Sequence, residues 1–176
     1  YGDNGRGLVE AQGITEEADF IVGTFSKSLG STGGFCVSQH EILSLMRYTS
    51  RPFIFTASAC PSVIATTRAA LQVMRDRTEL RTQLWKNAHQ LYAGLQGLGL
   101  STGPEVSPVV GVRCADQEQA INAWHRLLAA GVYTNLIVPP ASPDGSSLLR
   151  CSMSAAHTSA QVDAIIAAFE AVLVTN

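Results

Sequence analysis

A chain of 176 residues, 46% hydrophobic and only 15% charged, has enough apolar side chain to build a buried core and lacks the composition of a disordered segment. Its 12 basic and 14 acidic side chains leave a formal net charge of −2, and no basic run tracks a phosphate backbone, so nucleic acid is excluded as a partner. The four cysteines and four histidines are dispersed, which predicts reduced thiols in a cytoplasmic protein and no metal site.

No apolar run approaches the ~18 residues of a membrane span, so no integral membrane segment is expected. The opening stretch Tyr1-Gly-Asp-Asn-Gly-Arg-Gly7 is a glycine-rich loop without a preceding element or a signal-peptide pattern. It reads as the middle of a domain, and the chain as a carboxy-terminal fragment.

Residues 19–24 and 34–38 are apolar runs of strand length, expected to be buried, with a polar glycine-rich stretch between them. Residues 40–49 predict a helix with Ile42, Leu43, Leu45 and Met46 on its apolar face. Beyond the run Phe53-Ile-Phe55, Pro61 suits the first turn of a helix reaching about Arg75. The next helix, over about 79–95, carries one apolar stripe of Leu80, Leu84, Ala88, Leu91, Tyr92 and Leu95.

Residues 97–108 break the pattern. A strand over 109–113, a helix over 117–130, a strand over 132–136, a proline- and glycine-rich loop over 139–145 and a strand over 148–152 follow. Thr158-Ser-Ala-Gln161 has the form of a capping box and opens the last helix, whose buried face would hold Val162, Ile165, Ile166, Phe169 and Leu173. Alternating strands and helices predict an α/β or α+β fold, α/β being the class expected. The pattern shifts near residue 80, dividing the end of a larger sheet domain (1–80) from a compact three-layer piece (81–176).

The segment between the first two strands concentrates the chemistry. Hydroxyls of Thr24, Ser26 and Ser28 surround Lys27, and glycines follow. A lysine partly desolvated at a strand end can act as an amine nucleophile, and neighbouring hydroxyls and backbone N–H groups can hold a phosphate. A P-loop would need glycine where Ser26 stands. A serine acylation motif would need serine where Thr24 stands. From spacing alone, a solvated turn with its lysine in water is as good a reading as a cofactor site.

Thr24-Phe-Ser-Lys-Ser-Leu-Gly30 resembles the lysine signature of the class II aminotransferase group. The longer run over 23–38 is similar to the α-oxoamine synthases, fold type I enzymes that use pyridoxal 5'-phosphate (PLP). The likeness continues through Asn4-Gly-Arg-Gly7, Arg51-Pro-Phe-Ile-Phe-Thr-Ala-Ser58, Leu149-Arg-Cys-Ser152 and Ala155-Ala-His-Thr158. It implies that residues 1–80 end the PLP-binding large domain and that 81–176 form the small carboxy-terminal domain.

The resemblance also implies roles. Lys27 carries PLP as a Schiff base and moves the substrate's α-proton. Thr24 donates to the cofactor phosphate, and Thr56 approaches the phosphate of a neighbouring subunit in a homodimer. Arg150 holds the amino-acid carboxylate, a role for which a guanidinium fork is well shaped. The implied reaction is decarboxylative condensation of an amino acid, serine by overall likeness, with an acyl-CoA thioester. Relatives that use glycine or alanine, or a carrier-protein thioester, are the alternative, as is a noncatalytic partner subunit.

Two departures stand out. The family's aspartate to the pyridine nitrogen and its two cofactor-site histidines would lie before residue 1, so the chain alone is expected to be inactive. Val138 stands before Pro139-Pro140 where two branches of the family resemble one another in having arginine, which bears on the substrate rather than on the family.

Overall fold

Residues 1–142 and 144–175 are described by the computed structural model; Pro143, within the expected proline- and glycine-rich loop, lies outside them. The chain divides into two compact units, Tyr1–Thr78 and Glu79–Asn176.

In the first unit, a short helix α1 (Leu8–Ala11) follows a loop held by Glu10, whose carboxylate accepts from Asn4 Nδ2 at 2.7 Å and from the Arg6 backbone N–H at 3.0 Å. Strands β1 (Ile21–Thr24) and β2 (Gly34–Val37) pair antiparallel, Thr24 opposite Gly34. Helices α2 (Ile42–Thr49), α3 (Arg51–Ile54) and α4 (Pro61–Asp76) complete the unit. Pro52 and Pro61 both sit in first turns, where no intrahelical N–H is required.

The two strands are not buried as expected. Val22 is 75% exposed, and no apolar residue of this unit is fully buried among the described residues. A two-stranded ribbon takes little of its own side-chain surface out of water. The apolar face expected on α2 is likewise open, with Ile42 and Leu45 more than half exposed.

The second unit holds the hydrophobic core. Helix α5 (Thr78–Gly97) leads to β3 (Val109–Cys114), α6 (Gln117–Ala129), β4 (Asn135–Ile137), β5 (Ser147–Ser152) and α7 (Ser159–Phe169), which ends in a π-helical turn, Glu170–Val174. The sheet order is β3-β5-β4, all antiparallel. Alternate residues Val110, Val112, Leu149 and Cys151 are buried on one face, against Leu91 and Leu95 of α5, Leu127 of α6, and Val162 and Phe169 of α7. Each fully buried leucine or phenylalanine contributes about 1.5–3 kcal/mol relative to an exposed one.

Val109, Arg113 and Arg150 occupy the opposite face and are exposed. The unit is therefore two layers rather than the expected three, because all three helices use the same side of the sheet. The strand expected over 132–136 begins only at Asn135. Gly131 takes a left-handed conformation (φ 81°), and the Val132 N–H donates back to Leu127 O at 2.8 Å, so these residues close α6 instead of opening β4. The capping box forms as read: Thr158 Oγ1 accepts from Gln161 N, and Gln161 Oε1 accepts from Thr158 N.

Candidate functional site

Lys27 sits on the loop joining β1 to β2. The Phe25 N–H donates to Gly33 O and the Ser31 N–H to Phe25 O, both at 2.9 Å, so the hairpin narrows before the loop opens. The Gly30 N–H then donates to Lys27 O at 3.0 Å, closing a tight turn whose last residue is left-handed (φ 58°). The base of the loop is set by the Phe25–Phe35 stack, centroids 5.6 Å apart. A Cβ at Gly34 would lie 2.6 Å from Gly23 O, so glycine is required for the strands to approach there.

On this turn Lys27 is exposed rather than partly desolvated, and its amine has no hydrogen-bond or ion-pair partner among the described residues. Beside it lies a hydroxyl cluster. Thr24 Oγ1 is 2.8 Å from Ser26 Oγ, donates to Gly33 O at 3.2 Å and accepts from the Ser26 N–H. A free primary amine and clustered hydroxyls on one glycine-rich loop are the donor types that a ligand with an aldehyde at one end and a phosphate at the other requires.

The loop is anchored to α4 by a contact that was not foreseen from the sequence. Thr67, nearly fully buried, donates to Ser31 Oγ at 2.8 Å and lies equally close to Val63 O. Thr67 and Ser31 are 36 apart in sequence, and no local pattern announces the contact.

Thr56 lies just beyond α3, exposed, with its hydroxyl donating to Pro52 O. It lines an open cleft of about 890 Å³ with Thr32, Gly33 and Ser58. Thr24, Lys27 and Thr56 thus share the first unit, while Arg150 belongs to the second.

Arg150 is on the exposed face of the sheet, in the central strand. Its Nη2 donates to Asn135 Oδ1 at 3.2 Å, and it makes no ion pair among the described residues. Arg113, on the same face, is bound to Asp144 at 2.6 Å. The Asp144 carboxyl is held well below the ordinary carboxylate range, first by the Ser146 hydroxyl and then by Arg113. Arg150 therefore keeps a charge to offer a ligand, and Arg113 does not. Val138, half-buried, presents no polar side chain beside β4.

No group of three or more His, Cys, Asp or Glu among the described residues is placed to hold a metal ion, and no helix is long and apolar enough to cross a membrane.

Comparison with known proteins gives the relatives of the chain. A serine palmitoyltransferase of Caulobacter vibrioides (strain NA1000 / CB15N) is 55% identical over 94% of this chain and 41% of its own length. An 8-amino-7-oxononanoate synthase of Anaeromyxobacter dehalogenans (strain 2CP-1 / ATCC BAA-258) is 36% identical over 98% of the chain and 43% of its own. A serine palmitoyltransferase from S. paucimobilis, solved with a bound PLP-myriocin aldimine, matches with a TM-score of 0.94 at 46% identity, over 98% of this chain and 44% of that one. The chain spans about two fifths of the length of the curated relatives it matches.

The architecture is part of the fold type I transferase fold that the lysine signature implied. The model of aminotransferase class I and II matches residues 1–169, and the chain belongs to that family.

Proposed function

We propose that this chain forms part of a PLP-dependent α-oxoamine synthase that condenses an amino acid, serine in the first instance, with an acyl-CoA thioester. CO2 and free CoA leave, and a 3-oxo amine is formed. The observation that carries the reading is the unpartnered Lys27 amine on the same loop as the Thr24–Ser26 hydroxyl pair, supported by 55% identity to a serine palmitoyltransferase. Residues 1–80 would then end the large cofactor domain and residues 81–176 form the small one. The enzyme would act as a cytoplasmic homodimer.

PLP, when bound, supplies an electron sink for charge developing at the substrate Cα. Lys27 is its covalent anchor and the group that takes and returns a proton at that carbon. Thr24 Oγ1 donates to the phosphate in place of Gly33 O, and Thr56 serves the phosphate of the neighbouring subunit. Arg150 binds the amino-acid carboxylate through the N–H groups of its fork that Asn135 leaves free, fixing which Cα bond is broken.

The test is borohydride reduction of the PLP-loaded full-length protein followed by peptide mapping. Cofactor should be trapped on Lys27 and lost in Lys27→Ala; trapping on Lys86 would refute the assignment. CO2 release from serine, glycine and alanine against a series of acyl-CoA lengths then reads the substrate. Val138 in place of an arginine supports a second reading, a relative acting on glycine with a short acyl group, and a clear preference for that pair would select it. Lys27 argues against a noncatalytic subunit, which has no use for a cofactor lysine.

A further inference from the structure

We propose that Asn135 is a positioning residue for Arg150, setting the direction in which the guanidinium meets a carboxylate; the inference rests on the carboxylate-binding role given to Arg150 above. The two residues are direct partners across β4 and β5, so their side chains leave the same face of the sheet. That face is opposite the one buried by Leu149 and Cys151. Because a guanidinium has donors only, the Asn135 atom that meets Nη2 at 3.2 Å must be the carbonyl oxygen. The oxygen occupies one corner of the fork and leaves the remaining N–H groups free.

On the other flank the partner of Arg150 is Gly111 of β3. A Cβ there would meet only Leu148 Cδ1, at 3.6 Å. The row across the three strands therefore runs bare backbone, arginine, amide. The guanidinium is steadied from the β4 side, while its partner on the β3 side carries no side chain. A neutral acceptor at position 135 orients the arginine without consuming its charge. Asp144 shows the contrary arrangement on the same face, where a carboxylate holds Arg113 at 2.6 Å. An aspartate at position 135 would do the same to Arg150.

The experiment uses the PLP-loaded full-length enzyme of which this chain is part, and spectral titration with serine, glycine or alanine, whichever the wild type binds most tightly. The matching amine without its carboxylate is the control. Arg150→Ala should weaken amino-acid binding by upwards of about thirtyfold. Asn135→Ala should weaken it by about threefold to tenfold, the weight of one hydrogen bond, raising KM with little change in kcat. Asn135→Asp should be weaker still. PLP content and affinity for the control amine should be unchanged in all three, and Asn135→Ala should add nothing in the Arg150→Ala background. Wild-type titration by both Asn135 variants, with Arg150→Ala impaired, overturns the positioning role alone. An Asn135→Ala loss that persists undiminished in the Arg150→Ala background also overturns it. An unimpaired Arg150→Ala overturns the carboxylate assignment and this inference with it.

Discussion

Gly94 of α5 faces Ile166 of α7 so closely that a Cβ on the glycine would lie 2.3 Å from Ile166 Cδ1 and 2.8 Å from Cγ1. The clash involves most of the isoleucine side chain, so a rotation of its tip does not relieve it. At an ordinary helix position Gly→Ala gains about 1 kcal/mol in propensity. Here overpacking should cost about 1–3 kcal/mol. Gly94→Ala is expected to lower the urea midpoint, and the same substitution in an Ile166→Ala background to raise it.

Asn87 gives a second stability test. It is fully buried on α5, donates to Ser154 O at 2.9 Å and His157 O at 2.8 Å, and accepts from Gln83 Nε2. These bonds fix the turn between β5 and α7. Asn87→Ala should destabilise by about 1–3 kcal/mol through loss of the two hydrogen bonds that hold this turn. Asn87→Asp should be worse at neutral pH, because it sets a carboxylate against two carbonyl oxygens. Denaturant unfolding of both variants checks the order.

The cysteines should separate by reactivity. Cys60 is exposed, and the Ser62 hydroxyl, 3.1 Å away, together with the Val63 N–H, lowers its thiol pKa. Burial pushes the Cys151 thiol up to about 12. Thiolate is the reacting form, so Cys60 should label first near neutral pH, more slowly in Ser62→Ala. Cys151 should label only on unfolding. Mass mapping of a time course reads both.

Acid should act on the Arg113–Asp144 pair. The Asp144 pKa is depressed on folding, so its contribution is present above the unfolded carboxylate value of about 4 and is lost as pH falls through the folded one. Any thermal-stability advantage of wild type over Asp144→Asn should therefore shrink on acidification below about pH 4. The pair is exposed, so the advantage should also fall with added salt.

What was legible in the sequence was what short stretches decide. Pro61, the Thr158–Gln161 box and the apolar spacing of Ala88, Leu91 and Leu95 specify helices through contacts within a turn or two. The Lys27 loop was legible because its hydroxyls and glycines fall within one short stretch of chain. Val132 was misplaced because a β-branched residue after a left-handed glycine can end a helix as readily as begin a strand, and the bond to Leu127 decides it. Neither Ser31–Thr67 nor Asn135–Arg150 has a local signature; both depend on how separated segments meet. That the sheet has one covered face was equally unreadable, since a partly apolar strand such as Val109–Cys114 suits either arrangement.

The period of two along β5 gives the strand two independent sets of positions. Leu149 and Cys151 answer to the core, and Arg150 between them answers to whatever approaches from solvent. Substitutions at Arg150 or its exposed-face neighbour Asn135 should cost little in folding. The two sets nevertheless share one frame: a residue inserted within β5 would turn the guanidinium towards Phe169 and Val162 and send a leucine outward. Length changes should therefore be tolerated in the connections on either side of this strand and not within it.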